Sequence, residues 1–291
     1  MQVRELSHTL PPHSVRSLIR QWLAEDTPSF DCGGFVVGDK EDEAWLLCKS
    51  RGVLSGCPFF QAVFDELDCS VQWHQREGDL LEPTNGLPCR AATIRGKARN
   101  LLLGERVALN TVCRSSGISS VARHLRELAD KAGWKGEIAG TRKTTPGFRL
   151  VEKYALLVGG VSTHRYDLSS MIMLKDNHIW SVGGIKSAIE RARQVGGFSL
   201  KIEVECRSLD EAIEACQCGA DVVMLDNFKP LDLHETAKQV KECFPHVIME
   251  ASGGIQPDNI QEYFSSHIDV ISMGSLTQGY PVVDFSMKIQ K

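Results

Sequence analysis

The 291-residue sequence has no apolar run long enough to span a bilayer, and Met1 to His13 lack the apolar core of a signal peptide. Both absences point to a cytoplasmic protein with no membrane partner. Positive charge is not in excess either: 33 Lys and Arg against 37 Asp and Glu leave a net charge of −4. Nucleic acid is therefore excluded as a partner, because its phosphates call for a basic face that this balance does not supply. Ten cysteines are present but none has zinc-ligand spacing, and the nearest pair, Cys216 and Cys218, has a single residue between them. Cys48, Cys69 and Cys206 lie in or beside apolar, strand-like runs, where a reduced cysteine serves as a small hydrophobe. His8, His13, His74, His124, His234, His246 and His267 occur singly, and Gly33-Gly34 and Gly183-Gly184 read as turns.

What is present divides the chain by rhythm. Val15, Leu18, Ile19, Trp22 and Leu23 have the spacing of an amphipathic helix, and short strand candidates follow at 44–49, 69–74 and 91–95. From 101 to 132 the pattern is helix-compatible, with Gly117 a weak point and Gly133 a stop. Beyond Gly136, six strand candidates (138–141, 171–174, 200–204, 222–225, 247–249 and 270–273) alternate with helix candidates at 185–195, 209–216, 231–244 and 259–264. Repeated βα units imply parallel strands with crossover helices. No Gly-rich turn follows the first of these strands, which argues against a Rossmann sheet and for a barrel of fewer than eight strands. The fold class expected is α/β: a small N-terminal α+β domain (1–112), an incomplete α/β barrel (113–275) and a C-terminal segment (276–291) packing back on the first domain.

Between Arg142 and Lys175 there are six Lys or Arg and two acids, punctuated by Gly, Pro and Thr and without a helical period. Such a mixture suits a small, multiply anionic ligand, since Arg forks match carboxylates and Lys suits phosphate. A solvated basic face is the alternative. Glu205 and Asp226 end neighbouring βα units, where acids hold a metal or sugar hydroxyls or cap the next helix. For Glu205 the capping role fits less well, because Ser208 is better placed. Ser252-Gly253-Gly254 and Gly274-Ser275 follow the last two strands and read either as backbone-amide phosphate loops or as tight turns.

Taken together, Gly140-Thr141-Arg142-Lys143-Thr144-Thr145-Pro146-Gly147, His164-Arg165, Lys175-Asp176-Asn177-His178, Glu203-Val204-Glu205, Leu225-Asp226-Asn227 and Ala251-Ser252-Gly253-Gly254-Ile255 resemble the quinolinate phosphoribosyltransferase family. Gly104-Glu105-Arg106-Val107-Ala108-Leu109-Asn110 extends the likeness, which matches the first hundred residues more loosely. The resemblance implies transfer of phosphoribosyl from phosphoribosyl pyrophosphate to quinolinate with Mg2+ as cofactor, releasing pyrophosphate and CO2 and giving nicotinate mononucleotide in NAD biosynthesis. It implies that Lys143, Lys175, Glu205 and Asp226 are catalytic. Arg142, His164 and Arg165 would hold the substrate carboxylates, with Arg106 from a neighbouring subunit of a homo-oligomer, and Thr144 would join the substrate-binding set. Glu205 and Asp226 would serve ribose and metal, directly or through water, while Ser252, Gly253, Gly254 and Gly274 would cradle the 5′-phosphate. Two other readings stand beside this one: a relative that uses nicotinate without decarboxylation, and a non-catalytic barrel that binds a phosphorylated metabolite. Against the latter, pure phosphate binding would avoid the negative charge of Glu205 and Asp226.

Overall fold

In the computed structural model, which describes residues 3–84 and 86–290, the chain divides into two compact units. The first comprises 1–123, 144–160 and 279–291, and the second 124–143 and 161–278. Met1, Gln2, Asn85 and Lys291, which the expected domains include, lie outside the described residues. The partition expected from the sequence was strictly linear. Here residues 144–160 are flanked by second-unit segments in sequence yet belong to the first unit, because Val151, Tyr154 and Val158 join its hydrophobic core.

The first stretch of chain forms α1 (Pro12–Asp26), α2 (Cys32–Val37), β1 (Glu41–Cys48), β2 (Gly52–Val53), α3 (Cys57–Glu66), β3 (Ser70–Trp73), β4 (Leu80–Leu81), β5 (Cys89–Lys97) and α4 (Ala98–Lys131). In β1 the side chains of Ala44, Leu46 and Cys48 are buried in alternation, as a strand with one face on a core requires. Gly33 and Gly34 are not a turn. Both lie in α2, where Asp31 caps the helix by accepting from the Gly34 N–H at 2.8 Å. Nor does Gly117 weaken α4, which runs unbroken past it; a Cβ there would sit 2.3 Å from the Pro281 carbonyl oxygen, so glycine is needed for close approach.

The chain continues as β6 (Glu137–Ala139), α5 (Arg149–Val158), β7 (Ile172–Leu174), α6 (Asp176–Val182), α7 (Ile185–Gly196), β8 (Ile202–Cys206), α8 (Leu209–Gln217), β9 (Val222–Asp226), α9 (Pro230–Cys243), β10 (Ile248–Ser252), β11 (Val270–Ser272) and β12 (Phe285–Ile289). In the first unit β12 pairs antiparallel with β1, completing the sheet β12-β1-β5-β3. In the second, six parallel strands in the order β6-β11-β10-β9-β8-β7 make the incomplete barrel, and a single parallel bridge from Ala139 to Ser162 extends its β6 edge. Every residue of β8 is buried, as expected of a parallel strand covered on both faces.

Candidate active site

Strand parity decides which side chains meet. In β8, Ile202, Val204 and Cys206 share one face and Glu203 and Glu205 the other. Glu205 is in register with Met224 of β9, Met224 with Glu250 of β10, and Asp226 with Ser252. Glu205, Met224, Asp226, Glu250 and Ser252 all line a cavity of about 630 Å3 within the second unit. Arg142, Lys143, His164, Arg165, Lys175, Gly253, Gly254 and Gly274 line it too. Loops at the C-terminal ends of parallel strands converge here because the chain direction is shared.

Thr144 and Arg106 do not line this cavity, the latter as expected of a residue assigned to a neighbouring subunit's site. Thr144 belongs to the first unit, where its Oγ1 accepts from Arg149 Nε at 3.0 Å. Arg106 is an exposed residue of α4, also in the first unit.

Helix capping does not account for the acids. Ser208 caps α8, accepting from the Glu211 N–H at 3.2 Å, and the residue preceding α9 is Lys229. Instead, Lys175 Nζ donates to Glu205 Oε2, and Asn227 Nδ2 donates to Asp226 Oδ2 at 2.5 Å. Burial, then the negative charge of Glu205, raises the Asp226 carboxyl above its ordinary value. The Lys175 N–H donates to His178 Nδ1 at 3.1 Å, which orients the turn into α6. At the other side Thr277 Oγ1 donates to the Lys143 carbonyl at 2.7 Å.

The glycines allow close approach. Gly253 has φ 93°, and a Cβ there would lie 2.4 Å from Asn227 Oδ1. A Cβ on Gly274 would lie 2.9 Å from the Lys143 Cδ.

Glu203, which has no role in the motifs above, and Glu250, which lies outside them, also belong to the site. Both are buried, and burial, then the facing Glu250 carboxyl, pushes Glu203 up to about 9. Glu250 Oε2 lies 2.9 Å from His164 Nε2, and Glu203 Oε2 lies 3.8 Å from it. Burial, then the charge of Arg142, lowers Arg165 from its usual value. The signal was available: Glu203 and Glu250 are acids inside apolar strands, with the same parity as Glu205 and Ser252.

Oxygen donors, lysines and backbone amides in one concave site suit a ligand with phosphate and hydroxyl groups. Family comparison agrees: residues 29–116 match the N-terminal domain, and 118–288 the C-terminal domain, of quinolinate phosphoribosyl transferase. The chain belongs to the quinolinate phosphoribosyltransferase family. It is 53% identical over 298 residues to the carboxylating nicotinate-nucleotide pyrophosphorylase of Dictyostelium discoideum, covering 99% of each chain. Its identity to the Homo sapiens enzyme of the same name is 53% over 289 residues, covering 99% of this chain and 96% of the relative. Among solved quinolinate phosphoribosyltransferase-like folds, NadC from Streptococcus pyogenes superposes with a TM-score of 0.88 at 36% identity, covering 97% of this chain and 98% of that one.

Proposed function

We propose that this member of the family transfers the phosphoribosyl group of phosphoribosyl pyrophosphate to quinolinate with loss of CO2, yielding nicotinate mononucleotide and pyrophosphate for NAD biosynthesis. The observation that carries the reading is the pairing, within one cavity, of a cationic side (Arg142, Lys143, Arg165) with an acidic pair (Glu205, Asp226). Cations answer a multiply anionic substrate. The acids answer the positive charge that develops on ribose as pyrophosphate departs.

Arg142 and Arg165 hold the ring carboxylates, and Lys143 and Lys175 neutralise pyrophosphate and phosphate oxygens. Glu205 and Asp226 accept from ribose hydroxyls, while Ser252, Gly253, Gly254 and Gly274 present backbone N–H groups to the 5′-phosphate. Once ribosylated, the cationic ring nitrogen stabilises the electron pair that stays on the adjacent carbon as its carboxylate leaves as CO2. A proton then takes that pair to form the C–H bond, so no protein nucleophile is needed. The chain's task is orientation in a cationic pocket.

Glu205 and Asp226 also fit Mg2+: they are hard oxygen donors lining one cavity, and both the burial and the neighbouring Glu205 charge that raise Asp226 are what a bound cation would offset. When bound, Mg2+ supplies further neutralisation of the leaving pyrophosphate. Removing divalent cations with EDTA should abolish turnover and added Mg2+ restore it; full activity in EDTA would remove the metal from the scheme.

We propose too that the working form is a homo-oligomer, supported by the solvent-exposed Phe30, Phe35 and Val36, an apolar surface that a second copy would cover. A cytoplasmic location is supported by ten cysteines that are all free. Among the described residues no helix is long and apolar enough to cross a membrane.

The deciding experiment incubates the protein with phosphoribosyl pyrophosphate and either quinolinate or nicotinate. CO2 release in step with nicotinate mononucleotide, from quinolinate alone, is the expected result. Consumption of nicotinate without CO2 would favour a non-decarboxylating relative.

A further inference from the structure

Both nitrogens of the His164 ring are engaged within the protein. The Arg165 backbone N–H donates to Nδ1 at 2.7 Å, and Nε2 faces Glu250 Oε2 at 2.9 Å. A nitrogen that accepts from an N–H carries no hydrogen, so the hydrogen of the ring sits on Nε2 and is donated to Glu250. Only 7% of the His164 side chain is exposed, against 45% for Lys175. His164 also has φ 56°, a left-handed conformation that a non-glycine residue keeps only when its surroundings enforce it. The anchor is rigid: Glu250 lies in the middle of β10, paired with β9 and β11. The charged and titratable groups facing the ring are Glu250 from β10, Glu203 from β8 and the adjoining Arg165.

We propose that Glu250 and His164 are positioning residues for Arg165: Glu250 orients the imidazole, the imidazole holds the left-handed turn, and the turn aims Arg165 at a substrate carboxylate. His164 makes no charged contact of its own with the substrate, in contrast to the direct role that the family resemblance implies. This inference rests on the reading of Arg165 as a quinolinate ligand.

The test uses the full chain. Glu250→Gln keeps an oxygen that can accept from Nε2–H, whereas Glu250→Leu removes the acceptor and fills its space. Asn tolerates positive φ, so His164→Asn isolates the loss of the ring. In Glu250→Leu and His164→Asn the KM for quinolinate should rise about tenfold, with the KM for phosphoribosyl pyrophosphate moving less than about threefold, and Glu250→Gln should recover most of the loss. Because the two residues act in series, the double variant His164→Asn/Glu250→Leu should be no worse than the poorer single one.

Long-range 1H–15N spectra of histidine-labelled wild-type protein, with His164 assigned through His164→Asn, should show the Nε2–H form at neutral pH. This readout needs no substrate, so it stands even if wild-type protein fails to turn over quinolinate, the result that would defeat the functional reading instead. A ring protonated on both nitrogens overturns the proposal. So does a Glu250→Gln variant as impaired as Glu250→Leu, which would mean that charge and not an acceptor is required. Should Glu250→Leu fail to fold, Glu250→Gln compared with His164→Asn, together with the spectrum, decides.

Discussion

An acid in the middle of a strand with apolar neighbours must find a cation or a hydrogen-bond donor, or keep its proton, since burial strips more hydration from a carboxylate than unpaired surroundings return. Glu203 keeps its proton, and its shift from the ordinary 4.5 to about 9 makes a statement about stability. Between those values the folded chain binds a proton that the unfolded chain releases, so folding becomes less favourable as pH rises across the window. Urea unfolding at pH 6 and pH 8 should show wild-type protein losing stability relative to Glu203→Gln by up to about 1.4 kcal/mol per pH unit. A difference that does not change with pH would mean that Glu203 is ionised throughout. On the proposed function Arg142 and Arg165 pose the opposite case, cations of the cavity that the substrate itself would neutralise. Replacing either with Ala should leave folding intact and cost roughly 2–4 kcal/mol of transition-state stabilisation, about a hundredfold in kcat/KM for quinolinate. Near-normal kcat/KM in both variants would remove them from the carboxylate site.

Elements were legible where their signal is local. The period of α1, the alternation of β1 and the six parallel strands can each be read from a window of ten or so residues. Two short helices, α5 and α6, escaped notice, because ten and seven residues are too few for an apolar period to stand out, and none of the α6 residues is buried. Gly117 shows propensity overridden by packing. An Ala there would gain intrinsic helix propensity of about 1 kcal/mol, yet its Cβ would press on the Pro281 carbonyl oxygen at 2.3 Å. Backbone does not yield as a flexible side chain does, so Gly117→Ala should lower stability by about 1–3 kcal/mol, read as a reduced melting temperature. A raised melting temperature would show that the 279–291 segment moves aside without cost.

At the scale of the whole molecule the open question is where Arg106 acts. It lies in the first unit, exposed on α4, and the cavity within the second unit is lined without it. If it completes a neighbouring subunit's site, subunits carrying Arg106→Ala and subunits carrying Lys175→Ala should rescue each other. In mixed dimers one site carries both defects and the other neither, so random re-assortment of equal amounts leaves roughly one site in four intact. Activity appearing from two nearly inactive parents is the expected outcome. With subunit exchange verified by mass spectrometry, its absence would assign Arg106 to no shared site.

The sequence by itself determined the βα alternation, the barrel of fewer than eight strands and eleven of the twenty-two cavity-lining residues, because periodicity, the basic cluster and the polar residues at strand ends are local properties. Only the tertiary structure decided that 144–160 joins the first unit, since that depends on which core accepts Val151, Tyr154 and Val158. It likewise decided that His164, Glu203 and Glu250, far apart in the chain, place their polar atoms within 4.8 Å of one another. Parity marks a side chain as inward-facing. Which inward side chains meet is set by the register between neighbouring strands and by a left-handed turn at His164, and neither is written in any single stretch of sequence.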